Sequence, residues 1–338
     1  MTVLSPPRVE GRIRLADGRR IGFAEYGPAH GRPVLWMHGT PGARRQIPPE
    51  ARTVARERDV RIVALERPGI GGSTPHAYGS ILDWADDVAA CTTELGIDEF
   101  GVVGLSGGGP YALACAFRLA DRTVAGAVIG GVAPTVGDDA PGGSGVVPLV
   151  ARISPLIGAL HRPLSVGMWG AVRALRPVAS QVLDLYARFT PPGDQEVFAD
   201  PEMRAMFIDD IFGASRRQLA APLFDVSLFA RDWGFSLRDV KVPVHFWHGA
   251  ADNIVPVAHG EHVAGLVPGA TVEVRPSGGH LANLALASEV LDWILAHWPD
   301  DEGPGLESPG HDGPDDADPG LERPGHEGPR HEGADTAR

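Results

Sequence analysis

The chain has 338 residues, 43% of them hydrophobic, and a formal net charge of −13. That apolar content is ample for a large core, so most of the chain is expected to fold. The charge is uneven: residues 300–338 hold 12 acidic and 3 basic side chains, and the remainder holds 31 and 27. The folded part is therefore nearly balanced and offers no broad basic face to nucleic acid.

Cys91 and Cys115 lie among alanines in expected helices and read as small buried apolar residues, not as a disulfide, metal site or nucleophile. The opening MTVLSPPRVEGR lacks a basic head followed by an apolar run, so no signal peptide is expected. Residues 101–117 are uncharged, yet they hold five glycines and a proline and are short for a membrane span. The expectation is a cytoplasmic protein with no membrane contact.

In chain order, GRIRLADGRRIGFAEYG sets two alternating runs around Asp17-Gly18, a hairpin signal. PVLWMHG (33–39), RIVALE (61–66) and FGVVGLS (100–106) are apolar runs of strand length. Between the last two, Ser80 and Asp83 have capping-box spacing ahead of an amphipathic helix over 80–95. VAGAVIGG (124–131), VPVHFWHG (242–249) and ATVEVRP (270–276) are three further strands, and helices are expected near 108–119, 257–267 and 283–297. Apolar strands alternating with helices predict an α/β fold with a mostly parallel sheet covered on both faces.

Residues 134–235 break that rhythm. Helical runs such as SVGMWGAVRAL and VASQVLDLYARF, cut by proline and glycine, predict a helical cap carried on a core of residues 10–133 and 236–298. From Pro299 a proline recurs every fifth residue to Pro329, and a fifteen-residue unit is used twice with a partial third copy. Residues 299–338, with almost no apolar side chains, are expected to be a disordered tail, because so little burial cannot offset the entropy of ordering. His311, His326 and His331 within it match no compact metal-site spacing.

The chemistry concentrates at GLSGGGPY. Gly104, Ser106 and Gly108 satisfy Gly-x-Ser-x-Gly, with a strand ahead and a helix behind that begins near Pro110. Such a turn strains the serine backbone and thrusts its hydroxyl out above the sheet, where flanking side chains would collide. A serine hydroxyl is a weak nucleophile and needs a base, which in turn needs an orienting group. SGGHLA supplies His280 after the last strand, and WHGAAD supplies Asp252 after the one before. The Gly107 N–H, next after the serine, and the Thr40 N–H in HGTPG are the expected oxyanion donors.

Taken together, HGTPG (38–42), RPGIGGS (67–73), GLSGG (104–108), HGAAD (248–252) and GGH (278–280) resemble the α/β-hydrolase superfamily, in its lidded esterase, epoxide-hydrolase and proline-iminopeptidase-like branch. The resemblance covers residues 10–298. Glu66 departs from it, because the family more often has aspartate before Arg-Pro-Gly. A serine at the elbow, where epoxide hydrolases use aspartate, implies an acyl-enzyme: hydrolysis of a small-molecule ester, thioester or amide without metal or organic cofactor.

Rival readings stay open. An aminopeptidase of the proline-iminopeptidase type would need acidic cap residues for a substrate ammonium, and Asp194, Glu196 and Asp200 are candidates, as against a solvated loop. A non-catalytic binding protein on the same fold is another, though the full serine, acid, histidine set argues against it. Nothing points to the lyase or peroxidase variants of the fold. Met168, Trp169, Phe189, Phe207 and Phe224 are candidate lining for an apolar acyl pocket, although aromatic residues at helical spacing also serve as plain core. Trp233 is expected to pack the cap on the scaffold.

Overall fold

The computed structural model describes residues 4–141, 146–216 and 218–299. Eight strands form one sheet: β1 (Val9–Arg14), β2 (Arg20–Tyr26), β3 (Arg32–Met37), β4 (Val60–Leu65), β5 (Phe100–Leu105), β6 (Thr123–Ile129), β7 (Val244–Gly249) and β8 (Thr271–Arg275). Their spatial order is β1-β2-β4-β3-β5-β6-β7-β8. β1 and β2 are the expected hairpin, and β2 alone runs antiparallel to the rest; every pair from β4 across to β8 is parallel. Gly18 turns the hairpin at φ +87°, a region that glycine enters without steric cost.

Side-chain alternation along the central strands feeds two cores. Val34, Trp36, Val103 and Leu105 point to one face, while Leu35, Met37 and Val102 point to the other. Each buried Val or Leu contributes about 1.5–3 kcal/mol over an exposed one, so the inner strands need apolar residues at every position. α1 (Pro49–Glu57) covers the first face, with α10 (Ala287–Leu295) beside it. α2 (Asp83–Glu94), α3 (Gly109–Arg118) and α9 (Val257–Leu266) cover the second. Cys91 and Cys115 are buried free thiols within α2 and α3, and burial pushes the Cys91 thiol up to about 12.

The chain thus has the α/β-hydrolase fold. Among the described residues, five α-helices intervene between β6 and β7: α4 (Val146–Ala174), α5 (Ala179–Ala187), α6 (Pro192–Ala199), α7 (Pro201–Ala214) and α8 (Ala221–Phe229). Prolines at the first turns of α6, α7 and α8 set where each helix begins, since their fixed φ suits that position and their missing N–H costs nothing there. Trp233 closes the insertion: it is buried with Leu237 and Val240, and its carbonyl accepts from Leu82 N at 3.0 Å. Among the described residues no helix is long and apolar enough to cross a membrane. The proline-repeat tail lies outside the described residues from residue 300 on.

Helix α3 sits so close to the sheet that small residues are obligatory at its start. A Cβ on Gly108 would lie 2.3 Å from the Met37 carbonyl oxygen and 2.7 Å from that of His38. Both are backbone atoms of β3 and its exit loop, which cannot rotate away. Gly108→Ala should therefore cost about 2–3 kcal/mol and lower the melting temperature by roughly 5–10 °C. A thermal melt within a degree of the native protein would contradict this packing.

Candidate active site

Ser106 follows directly on β5, and its φ is +52°, one of two non-glycine residues with positive φ among those described. Costs of order 1 kcal/mol or more attend that geometry, and it persists only where the surroundings leave no alternative. Here they do not: a Cβ on Gly104 would lie 2.7 Å from the Gly108 carbonyl oxygen and from the Gly109 Cα. Strand and helix meet in a turn that only glycines can line, and the Ser106 side chain is turned out of the sheet.

The two distant residues meet it there. The Ser106 hydroxyl and His280 Nε2 are 2.8 Å apart, and His280 Nδ1 is 2.7 Å from Asp252 Oδ2. With Asp252 ionised, Nδ1 carries the proton and donates it, which leaves Nε2 to accept from the serine hydroxyl. Asp252 Oδ1 accepts from the backbone N–H groups of Ile254 and Val255 at 2.9 and 2.8 Å. Burial opposes its ionisation, but bonding from His248 and His280 and from the Val255 N–H outweighs it and holds the carboxyl well below the usual range. His248 completes that cradle, 3.4 Å from Asp252 Oδ2, while its Nε2–H donates to the Val255 carbonyl at 2.8 Å.

Thr40 and Gly107 adjoin the serine as the spacing predicts. A Cβ on Gly107 would lie 2.5 Å from Thr40 Oγ1. Behind Thr40 stands a buried polar cluster that the sequence reading did not include. Asp225 of α8 accepts from Thr40 Oγ1 at 2.6 Å, from Tyr111 at 2.7 Å and from the Arg67 guanidinium at 2.8–3.1 Å. Arg67 also donates to the carbonyls of His38 and Gly39 at 2.7 and 2.9 Å. His38 is locked in turn: Nδ1 bonds the Gly39 carbonyl and Nε2 accepts from the Arg67 backbone, and burial beside that arginine holds it neutral. The motifs HGTPG and RPGIGGS are thereby one bonded unit. Glu66 completes it by accepting from the Gly72 N–H at 2.6 Å, and a Cβ on Gly71 would lie 2.1 Å from its carboxylate.

A cavity of about 540 Å³ opens on Ser106 and His280. The insertion supplies most of its wall, including Val172, Leu175, Leu183, Phe198, Phe207 and Phe212. Of the expected pocket residues, Phe207 lines it. Phe189 is 77% exposed instead, Trp169 is tied through Nε1 to the Ser215 carbonyl at 2.8 Å, and Met168 packs against the cluster of Ala43, Ile70 and Leu219. Phe224 lines a separate cleft with His76 and Arg231. Helical periodicity alone could not separate these positions, because α4 presents apolar residues to more than one surface.

None of the acidic candidates for an ammonium site lines that cavity. Asp200 caps α7 through the Glu202 N–H, Glu196 is exposed, and Asp194 is buried and bonded to the loop that carries His280. Asp210 is the carboxyl in the cavity wall; it accepts from the Ala43 and Arg45 N–H groups at 2.9 and 3.1 Å, and burial pushes it up to about 7.

Residues 32–293 match the alpha/beta hydrolase family, and the chain belongs to it. A proline iminopeptidase of Xylella fastidiosa is 26% identical over 304 residues, 82% of this chain and 92% of that protein. One from Xanthomonas citri is 34% identical over 123 residues, a match spanning 36% of this chain and only 38% of its own length. Among solved structures, an esterase from Exiguobacterium antarcticum superposes with a TM-score of 0.60 at 18% identity, covering 85% of this chain and all of that one. A likeness at that identity is one of fold.

The Arg67–Asp225 pair is the site's most exposed weakness to mutation, because both members are almost fully buried. Asp225→Ala leaves a buried guanidinium uncompensated, a loss of about 3–5 kcal/mol and roughly 10 °C in melting temperature. The double variant Arg67→Met/Asp225→Leu, with no charge stranded, should melt above the single one. The opposite order in calorimetry would show that the pair is not what holds the loops.

Proposed function

We propose that this hydrolase is a serine enzyme that cleaves a small carboxylic ester, or thioester, through an acyl-enzyme on Ser106. The observation that carries the reading is the continuous hydrogen-bonded chain from Ser106 through His280 to Asp252 at the floor of an apolar cavity. His280 Nε2 takes the hydroxyl proton as Ser106 attacks the carbonyl carbon, and Asp252 stabilises the imidazolium that forms. The N–H groups of Gly107 and Thr40 receive the developing oxyanion. Collapse of that intermediate expels the alcohol, which takes the proton from His280 as it leaves. Water, deprotonated by the same imidazole, then attacks the acyl carbon and frees the acid and Ser106.

The cavity wall favours an apolar acyl group over a free amino terminus. A substrate ammonium needs an ionised carboxylate, and burial pushes Asp210, the carboxyl in that wall, up to about 7. The proline-iminopeptidase relative supports a second reading, an aminopeptidase of that type, in which Asp210 would meet the amine. Buried free thiols at Cys91 and Cys115 fit a reducing, cytoplasmic setting.

The test is a substrate panel run with native protein and Ser106→Ala. p-Nitrophenyl esters of short to medium acyl chains should turn over, proline naphthylamide should not, and Ser106→Ala should lower kcat on the order of 10⁶-fold. Faster cleavage of the amide would favour the aminopeptidase, and turnover of neither would leave a binding protein.

A further inference from the structure

Asp194 was a candidate for the substrate's amine; the structure gives it a different occupation. It sits in the first turn of α6, in the insertion, and is buried. Its Oδ2 accepts from the backbone N–H of His280 at 2.9 Å, and its Oδ1 accepts from those of Leu281 and Ala282 at 2.9 and 2.8 Å. The partners lie 86 to 88 residues further along the chain.

The fit is close on both sides. A Cβ on Gly279 would lie 2.5 Å from the Asp194 carboxylate, and one on Gly193 would lie 2.8 Å from the Ser277 carbonyl oxygen. The glycines of SGGH thus admit the carboxylate, and they also deprive the loop of side chains with which to anchor itself. The N–H groups of Leu281 and Ala282 open a short 3₁₀ segment (Ala282–Leu286), where the first donors have no partner within the turn itself. A carboxylate from another element receives them. Asp252 holds the imidazole through its ring, but a ring bond leaves the main chain free to shift; three N–H bonds to one carboxylate do not.

We propose that Asp194 is a positioning residue, which fixes the His280 backbone so that Nε2 faces the Ser106 hydroxyl and makes the insertion part of the catalytic base's support. This rests on reading Ser106 as nucleophile and His280 as its base. Seating the insertion and aligning the base are then one event, and the wall of the acyl pocket cannot lift at α6 without disturbing the histidine. Burial pushes the Asp194 carboxyl up, and the three N–H bonds oppose that shift without cancelling it.

The experiment uses the full chain as native protein, Asp194→Asn, Gly279→Ala and the control Glu202→Gln, an exposed residue on α7. Active sites are counted with a fluorophosphonate, and kcat per counted site and KM are measured with p-nitrophenyl butyrate. Asn keeps the shape and two of the bonds, but turns an NH₂ toward the His280 N–H. Its kcat per site should fall by about 10- to 100-fold with KM changed by less than about threefold, as expected for a misplaced base rather than a lost binding contact. The control should stay within about twofold of native protein.

A merely structural Asp194 would lower the melting temperature and the number of labelled sites, while leaving kcat per labelled site unchanged. That result overturns the proposal. Should Asp194→Asn fail to fold, Gly279→Ala displaces the same carboxylate from the other side, and an unchanged kcat per site there overturns it equally. Native protein that neither labels nor turns over would instead remove the Ser106 reading itself, and the proposal with it.

Discussion

Ser106 stands in a backbone conformation that a serine does not choose, and much of the surrounding structure can be understood as the means of keeping it there. The carbonyl oxygens of Met37 and His38 lie so near α3 that a Cβ at Gly108 has no room, and the turn itself admits none at Gly104. β3, β5 and α3 therefore converge on one point. The parallel sheet brings the ends of β5, β7 and β8 to the same edge, which is where residues 106, 252 and 280 emerge. Position in the fold precedes chemistry: the hydrogen bonds of Ser106, His280 and Asp252 are possible because strand ends coincide.

The second organising feature is a set of buried carboxylates contributed by the helical insertion. Asp194 meets the His280 loop, Asp210 meets the loop at 43–45, and Asp225 meets Thr40 and Arg67. Buried carboxyl groups are costly unless each is paired or hydrogen-bonded, and each of these is. The insertion is thus bonded at three points to the loops around the serine. Its apolar side chains form the pocket wall while its carboxylates grip the scaffold. In this arrangement the cavity wall and the loops around the serine are held by the same insertion.

The central strands were legible as short apolar runs and β1 and β2 as alternating runs around Asp17-Gly18, and the serine, acid, histidine order could be read beside them. α1 was not, since its inward face is made of Ala51, Val54 and Ala55 and of Arg52, whose guanidinium donates to the carbonyls of Ser5, Arg45 and Ile47. A buried arginine inverts the pattern that marks an amphipathic helix. The carboxylates were opaque for a related reason: Asp194 in PPGDQEVFADPE looks like any acidic loop residue until the chain from 280 to 282 is laid against it. Phe207 and Phe189 are equally aromatic in sequence, and only the packing of α5 and α7 puts one into the cavity and the other into solvent.

The central claim is that the Ser106 oxygen becomes bonded to the acyl carbon during turnover, and it can be observed without inference from rates. Native protein mixed with a p-nitrophenyl ester and quenched in acid within the first turnovers should carry one acyl mass, localised by peptide fragmentation to Ser106. Turnover with no acyl mass on that peptide, or with the adduct on another residue, would contradict the account.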